Sequence, residues 1–159
     1  MKIEKAKWSE HKEILKLSAL SKFTKGFSGV GMGNVEEYYT RGWVSVVRQK
    51  GKIVGFLCVH HCVRKPHKPD IYYDKFLRYY ERPHTSVYYV GTSVPRKGIG
   101  SALLQHAMKT SPNGLLELIS EKENVQGLRF YKKLGFKVVG EGQNSAKVPY
   151  WRLMLEAAK

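Results

Sequence analysis

Apolar and polar positions along this chain change their period several times, and each change marks an element. Residues 2–7 read as a short strand. In "SEHKEILKLSALSKF", Ile14, Leu17 and Leu20 recur near helical spacing, with Ser9 placed as an N-cap. The glycine-rich "KGFSGVGMGN" reads as a loop, and "VEEYYTRG" as a second short helix closed by Gly42. "WVSVVRQ", "KGK" and "IVGFLCVHHCV" spell a hairpin, two apolar and β-branched runs about a tight turn. Residues 64–83, "RKPHKPDIYYDKFLRYYERP", break the pattern as a basic, tyrosine-rich excursion. There Asp70 is placed to cap a short helix carrying Tyr72, Phe76, Tyr79 and Tyr80 on one face. A strand ("TSVYYVGTSV"), a helix ("GSALLQHAMK"), a strand ("GLLELIS") and a helix opened by Asn124 ("VQGLRFYKKLG") follow. The runs "FKVVGEG" and "PYWRLMLE" close the chain as strands. The pattern predicts an α/β (α+β) chain, with helices between the strands of a mixed sheet.

Length and composition narrow the class. At 159 residues the chain is expected to be a single domain, 1–159, with a core of its own. A 42% hydrophobic and 26% charged composition is that of a soluble globular protein. No stretch approaches a membrane-spanning length, and "MKIEKAKWSEHKEI" has no apolar centre, so the expectation is no membrane and a cytoplasmic location. Cys58 and Cys62 are the only cysteines and are expected to be free thiols. "CVHHC" invites a metal reading. A strand spaces Cys58, His60 and Cys62 by about 6.8 Å per step, too extended for one tetrahedral zinc. No metal is expected, and the run reads as a buried central strand.

Charge changes the picture more. Lys and Arg total 28 against 13 acidic residues, a net charge of +15. Such a field attracts a nucleic acid, an anionic membrane or a multiply phosphorylated small molecule. The basic residues are spread along the whole chain with no Lys/Arg tail, so a solvated basic surface accounts for them equally well.

The chemistry begins at "SVPRKGIGSALL", where two glycines precede a helical pattern beside Arg96 and Lys97. Such a loop lets backbone N–H groups close on an anion. It is no P-loop, since no GxxxxGK run exists. It meets the dinucleotide fingerprint only at Gly98 and Gly100, with Leu103 in the third glycine's place and Glu117 or Glu121 about 20 residues on. The second motif is "ENVQGLRFYKKLGFKVVG". It sets Asn124 before a helix on which Gly127 and Tyr131 stack one turn apart, which predicts a slot beside the tyrosine.

Together, in order and spacing, these motifs resemble the GNAT acetyltransferase superfamily from Thr85 onward. That family follows a strand with (Q/R)xxGx(G/A), then with NxxGxxFYxxxGF. The resemblance implies one GNAT-like domain with a central, mostly antiparallel splayed sheet, and acetyl-CoA as cosubstrate. It further implies that Thr92, Arg96, Lys97, Gly98, Ile99, Gly100 and Ser101 bind the cofactor's pyrophosphate end, with Asn124 and Tyr131 on the cofactor side. The backbone N–H of Val90 would serve as oxyanion donor, next to a bulge consistent with Gly91. Tyr131 would be the general acid that protonates the leaving thiolate. The base position, six residues before Val90, holds His84; Glu117 on the neighbouring strand is the other candidate, and a water relay is a third route. Pro95 departs from the family, replacing its usual Gln or Arg, and is expected to weaken cofactor affinity.

The reaction this predicts is direct acetyl transfer to a primary amine, on a small molecule or a protein. A substrate bound to nucleic acid (an aminoacyl-tRNA or a base) is the alternative that the charge favours. A CoA-binding module without turnover is the third reading. Residues 64–83 look like an insertion, Tyr88 and Tyr89 are placed to line an acceptor pocket, and a monomer or homodimer fits the family.

Overall fold

The computed structural model describes residues 1–24, 27, 35–62, 83–144 and 146–157. The proposed helix after Asp70, and all of 64–83 except Pro83, lie outside them. So does the glycine-rich run 25–34 apart from Phe27.

The elements run β1 (Ile3–Lys5), α1 (His11–Ser18), α2 (Val35–Thr40), β2 (Val44–Gln49), β3 (Lys52–Cys62) and β4 (His84–Thr92). Then come α3 (Ile99–Thr110), β5 (Leu115–Glu121), α4 (Val125–Lys133), β6 (Lys137–Gln143) and β7 (Pro149–Glu156). The sheet has strand order β1-β2-β3-β4-β5-β7-β6. The pairs β1·β2, β2·β3, β5·β7 and β6·β7 are antiparallel. The mixed α/β class with a mostly antiparallel, helix-flanked sheet is therefore as the sequence predicts. The chain divides into two compact units, Met1–His60 with Val87–Ala107, and His61–Ser86 with Met108–Lys159.

In the first unit the hairpin turns on Lys50 and Gly51, both at positive φ (51° and 77°), the signature of a type I′ turn. β2 and β3 are buried on both faces, which is why their sequences read as near-continuous apolar runs. Val44, Val46, Phe56 and Cys58 join Ile14, Leu17, Tyr38 and Tyr39 of α1 and α2 in one core. The other face meets α3 at Gly55. A Cβ there would lie 2.5 Å from Ile99 Cγ2, so the missing side chain is what lets α3 settle on the strand. Gly55→Ala is expected to cost about 1–3 kcal/mol by overpacking. Thermal denaturation reads it, and a Tm equal to wild type would show that α3 yields freely.

Two local expectations fail. Ser9 caps nothing: Trp8–Glu10 form a 3-10 turn, and the cap position of α1 is Glu10, which makes no side-chain cap bond. Glu10 instead accepts from the Lys7 backbone N–H at 2.9 Å and pairs with Arg48. The helix also stops at Ser18, leaving Leu20 69% exposed rather than on the core face. There the chain turns through local bonds, Leu20 N–H to Leu17 O and Thr24 Oγ1 to Ser18 O, in place of another helical turn.

In the second unit β7 is the central partner, pairing with β5 across Leu115–Glu121 and with β6 across Lys137–Gln143. Leu115, Leu116, Leu118, Phe136, Leu153 and Met154 are buried there.

Candidate active site

In the first unit, β4 leads directly into the glycine loop. Its side chains change face on the way. Tyr88 stacks on His60 (centroids 5.7 Å apart, planes 14°), whereas Gly91 faces Phe56, whose Cε1 would be 2.8 Å from an added Cβ. His60 and Phe56 are four residues apart on β3 and so share a face. Positions 88 and 91 differ by an odd number and could not both reach that face from a regular strand. The phase of β4 therefore changes between Tyr88 and Gly91, as at a β-bulge; Tyr89, edge-on to Phe27, already lies on the Phe56 side, and Val90 follows the change. The glycine itself is required by the ring of Phe56.

Beyond Val90, Thr92 Oγ1 donates to Val54 O at 2.9 Å and accepts from Val94 N–H at 3.0 Å, so its hydroxyl shapes the loop. Pro95 is exposed and precedes Arg96 at φ 62°, the order of a type II turn in which proline presets the first corner. Arg96 accepts a left-handed backbone that ordinarily costs about 1–2 kcal/mol outside glycine. Gly98 follows at φ 76°, with no atom within 4 Å of where a side chain would begin. The first α3 hydrogen bond runs from Ala102 N–H to Gly98 O, 3.0 Å. By helix geometry the amides of Ile99, Gly100 and Ser101 lack an intrahelical acceptor. Open space at Gly98, three helix-start amides and exposed Arg96 and Lys97 suit a pyrophosphate. Ile99 is 1% exposed, its side chain against Gly55, so only its backbone faces that role.

In the second unit, Asn124 caps α4: its Oδ1 accepts from Gly127 N–H at 3.0 Å. A Cβ at Gly127 would sit 2.3 Å from Asn124 Nδ2. The expected slot beside Gly127 is thus filled by the capping side chain. Tyr131 lies against Phe130 (5.4 Å) and Phe136 (5.7 Å, edge-on). Burial of the ring pushes its phenol up to about 12, which keeps the proton on.

The same unit brings His84 and Glu117 together. His84, at the head of β4, is 3% exposed, so it is a buried strand residue rather than a loop one. Its Nε2 is 3.3 Å from Glu117 Oε2. Two residues absent from the sequence reading complete the cluster: Arg152 Nη1 donates to Glu117 Oε1 at 2.9 Å, and Ser86 Oγ to Oε2 at 3.3 Å. A signal for Arg152 existed. In "PYWRLMLE" it shares the inward phase of the strand with Tyr150 and Met154, where a cation needs a buried anion.

"CVHHC" resolves into separate environments. Cys58 is fully buried and burial pushes its thiol up; His60 faces the ring stack; His61 Nδ1 meets Thr85 Oγ1 at 2.7 Å.

In chain order, a strand with a change of phase, a glycine loop closing on a helix start and a capped helix carrying Tyr131 follow the pattern of an α/β transferase of acyl-CoA type. The chain belongs to the acetyltransferase (GNAT) family, whose model matches residues 10–136. It is an N-acetyltransferase that uses acetyl-CoA as cosubstrate. It is 34% identical over 154 residues to the 5-NmdU N-acetyltransferase of Pseudomonas phage PaMx11, covering 94% of this chain and 98% of that one. It is 38% identical over 60 residues to the peptidyl-lysine N-acetyltransferase YjaB of Salmonella typhimurium, 38% of this chain and 40% of that one. Its fold matches that of Arabidopsis thaliana Naa50, solved with the bisubstrate analogue CoA-Ac-MVNAL (TM-score 0.66, 14% identity, 98% of each chain). Among the described residues, no helix is long and apolar enough to cross a membrane.

Proposed function

We propose that the amine acetylated by this protein is carried on a nucleic-acid base. The observation that carries this reading is end-to-end similarity to a relative named for 5-NmdU, a deoxyuridine by its abbreviation. The net charge of +15 supports it, because a polyanionic strand would be drawn to such a surface. A protein amino group is the second reading, and the shorter match to a peptidyl-lysine N-acetyltransferase favours it.

Acetyl-CoA supplies an acetyl group activated as a thioester. The amine nitrogen forms the new bond to the acetyl carbon while the carbon–sulfur bond breaks. The Val90 N–H stabilises negative charge on the carbonyl oxygen, and Tyr131 gives its proton to the departing sulfur. The loop amides of Ile99, Gly100 and Ser101, with Arg96 and Lys97, hold the pyrophosphate. Asn124 serves this arrangement by fixing the start of the helix that carries Tyr131. His84 receives the amine's proton through water, since it is buried, and Glu117 orients it while paired with Arg152.

Incubation with labelled acetyl-CoA, a DNA oligonucleotide bearing one 5-NmdU, and a lysine peptide tests the acceptor. Label is expected in the oligonucleotide, with the rate falling steeply as salt rises. Label confined to the peptide would overturn the reading.

A further inference from the structure

α4 carries a run of positive charge with no carboxylate of its own. Arg129, Lys132 and Lys133 are exposed, and among the described residues none of them forms an ion pair or a side-chain hydrogen bond. Other cations of the chain are matched: Arg41 pairs with Glu37, Arg48 with Glu4 and Glu10, Lys122 with Glu141 and Arg152 with Glu117. Glu121 and Glu123, the nearest acidic residues in sequence, stand before the Asn124 cap, at the opposite end of α4 from the two lysines.

The three cations share one face. At 3.6 residues per turn they fall within about 100° of one another, three and four positions on from Arg129. Like charges so spaced repel. The helix dipole compensates Lys132 and Lys133 in the last turn, but its reach ends short of Arg129. Tyr131 lies about 200° around the helix from Arg129, against Phe136, which is 3% exposed. One element thus turns the tyrosine toward its packed side and the cations toward solvent. α1 also exposes two lysines, Lys12 and Lys16, but Glu13 lies between them in sequence.

We infer that Arg129, Lys132 and Lys133 form a docking stripe for the sugar–phosphate backbone of the acceptor strand; this rests on the nucleic-acid reading above. A polyanion turns their mutual repulsion into attraction, and each phosphate contact releases condensed counterions. Arg129 and Lys133 stand about 6 Å apart along the helix axis, so their long side chains can hold separate phosphates. The stripe faces away from Tyr131, so it grips phosphates that flank the reacting base and not the base itself.

The test is fluorescence anisotropy with a labelled, unmodified oligothymidylate at about 0.1 M salt. Wild type is compared with two triple variants that each remove three charges. One combines Arg129→Gln, Lys132→Gln and Lys133→Gln; the other combines Lys12→Gln, Lys16→Gln and Lys52→Gln, all exposed positions. Glutamine keeps a helix propensity close to that of Arg and Lys, and a thermal melt checks folding. The α4 variant is expected to bind about tenfold to a hundredfold more weakly, with the slope of log Kd against log salt shallower by about 2. The other variant is expected to stay within about threefold of wild type, because charges beyond a Debye length of a contact are screened. Equal weakening by both variants would leave only a diffuse field and overturn the stripe, as would no binding by wild type. Acetyl-CoA brings phosphates of its own. Weaker acetyl-CoA binding by the α4 variant, with DNA binding intact, would give these cations to the cofactor and overturn the stripe as well. The acceptor reading is judged separately by label transfer. Transfer to DNA without α4-dependent binding sinks the stripe alone, and α4-dependent binding without transfer sinks the acceptor reading alone.

Discussion

Tyr131→Phe is expected to lower kcat for acetyl transfer about 10²- to 10⁴-fold, the range for loss of a positioned general acid. The dissociation constant for acetyl-CoA should barely move, because the ring that packs on Phe130 and Phe136 is retained. The pH dependence follows from the raised phenol. A tyrosine with its pKa pushed up to about 12 is protonated, and so competent as an acid, at every pH below that value. The wild-type kcat profile should therefore show no alkaline fall from this group up to about pH 10, where an unperturbed tyrosine would already be half ionised. A variant as fast as wild type would remove Tyr131 from the reaction and leave it a core ring.

The second large effect concerns the buried ion pair. Arg152→Met leaves Glu117 inside the protein with His84 and Ser86 as the partners of its carboxylate among the described residues. Arg152 and Glu117 are 2% and 7% exposed at their side chains, so solvent does little to screen what is lost. Breaking such a pair from one side typically costs about 3–5 kcal/mol. For a chain of this size that is roughly 6–20 °C in Tm. Combining Arg152→Met with Glu117→Leu should cost far less than either single change, because no charge is then stranded. Thermal melts of the two single variants and the double variant form the cycle; a double variant as unstable as the worse single one would refute this account. The double variant should fold yet transfer acetyl slowly, since His84 loses the group that orients it.

Much of this was legible before any fold was built. The hairpin was written in "KGK" between β-branched runs, since glycine readily takes one of the two positive φ angles that a type I′ turn demands, Lys50 taking the other. The loop ahead of α3 was legible because its geometry resides in the backbone, which glycine announces by its presence. The end of α1 was not. Leu20 keeps the helical period, but nothing local says that the chain will turn at Ser18 and leave that leucine in water. Ser9 offered a cap, yet the pairing of Glu10 with Lys7 and with Arg48, 38 residues away, used the backbone differently.

By itself, then, the sequence determined the family and its cosubstrate, the order of helices and strands, the glycine loop before α3 and the asparagine cap of the tyrosine's helix. Each depends on residues within a few positions of one another, where sterics and hydrogen bonding act through the local backbone. Tertiary structure alone decided that His84 and Glu117 meet, that Arg152 secures them, and that His60 stacks on Tyr88. The strand contacts among these join positions 28 to 35 residues apart. Such pairs are chosen by strand register and by the face change within β4, and a one-residue shift reverses which side every side chain meets.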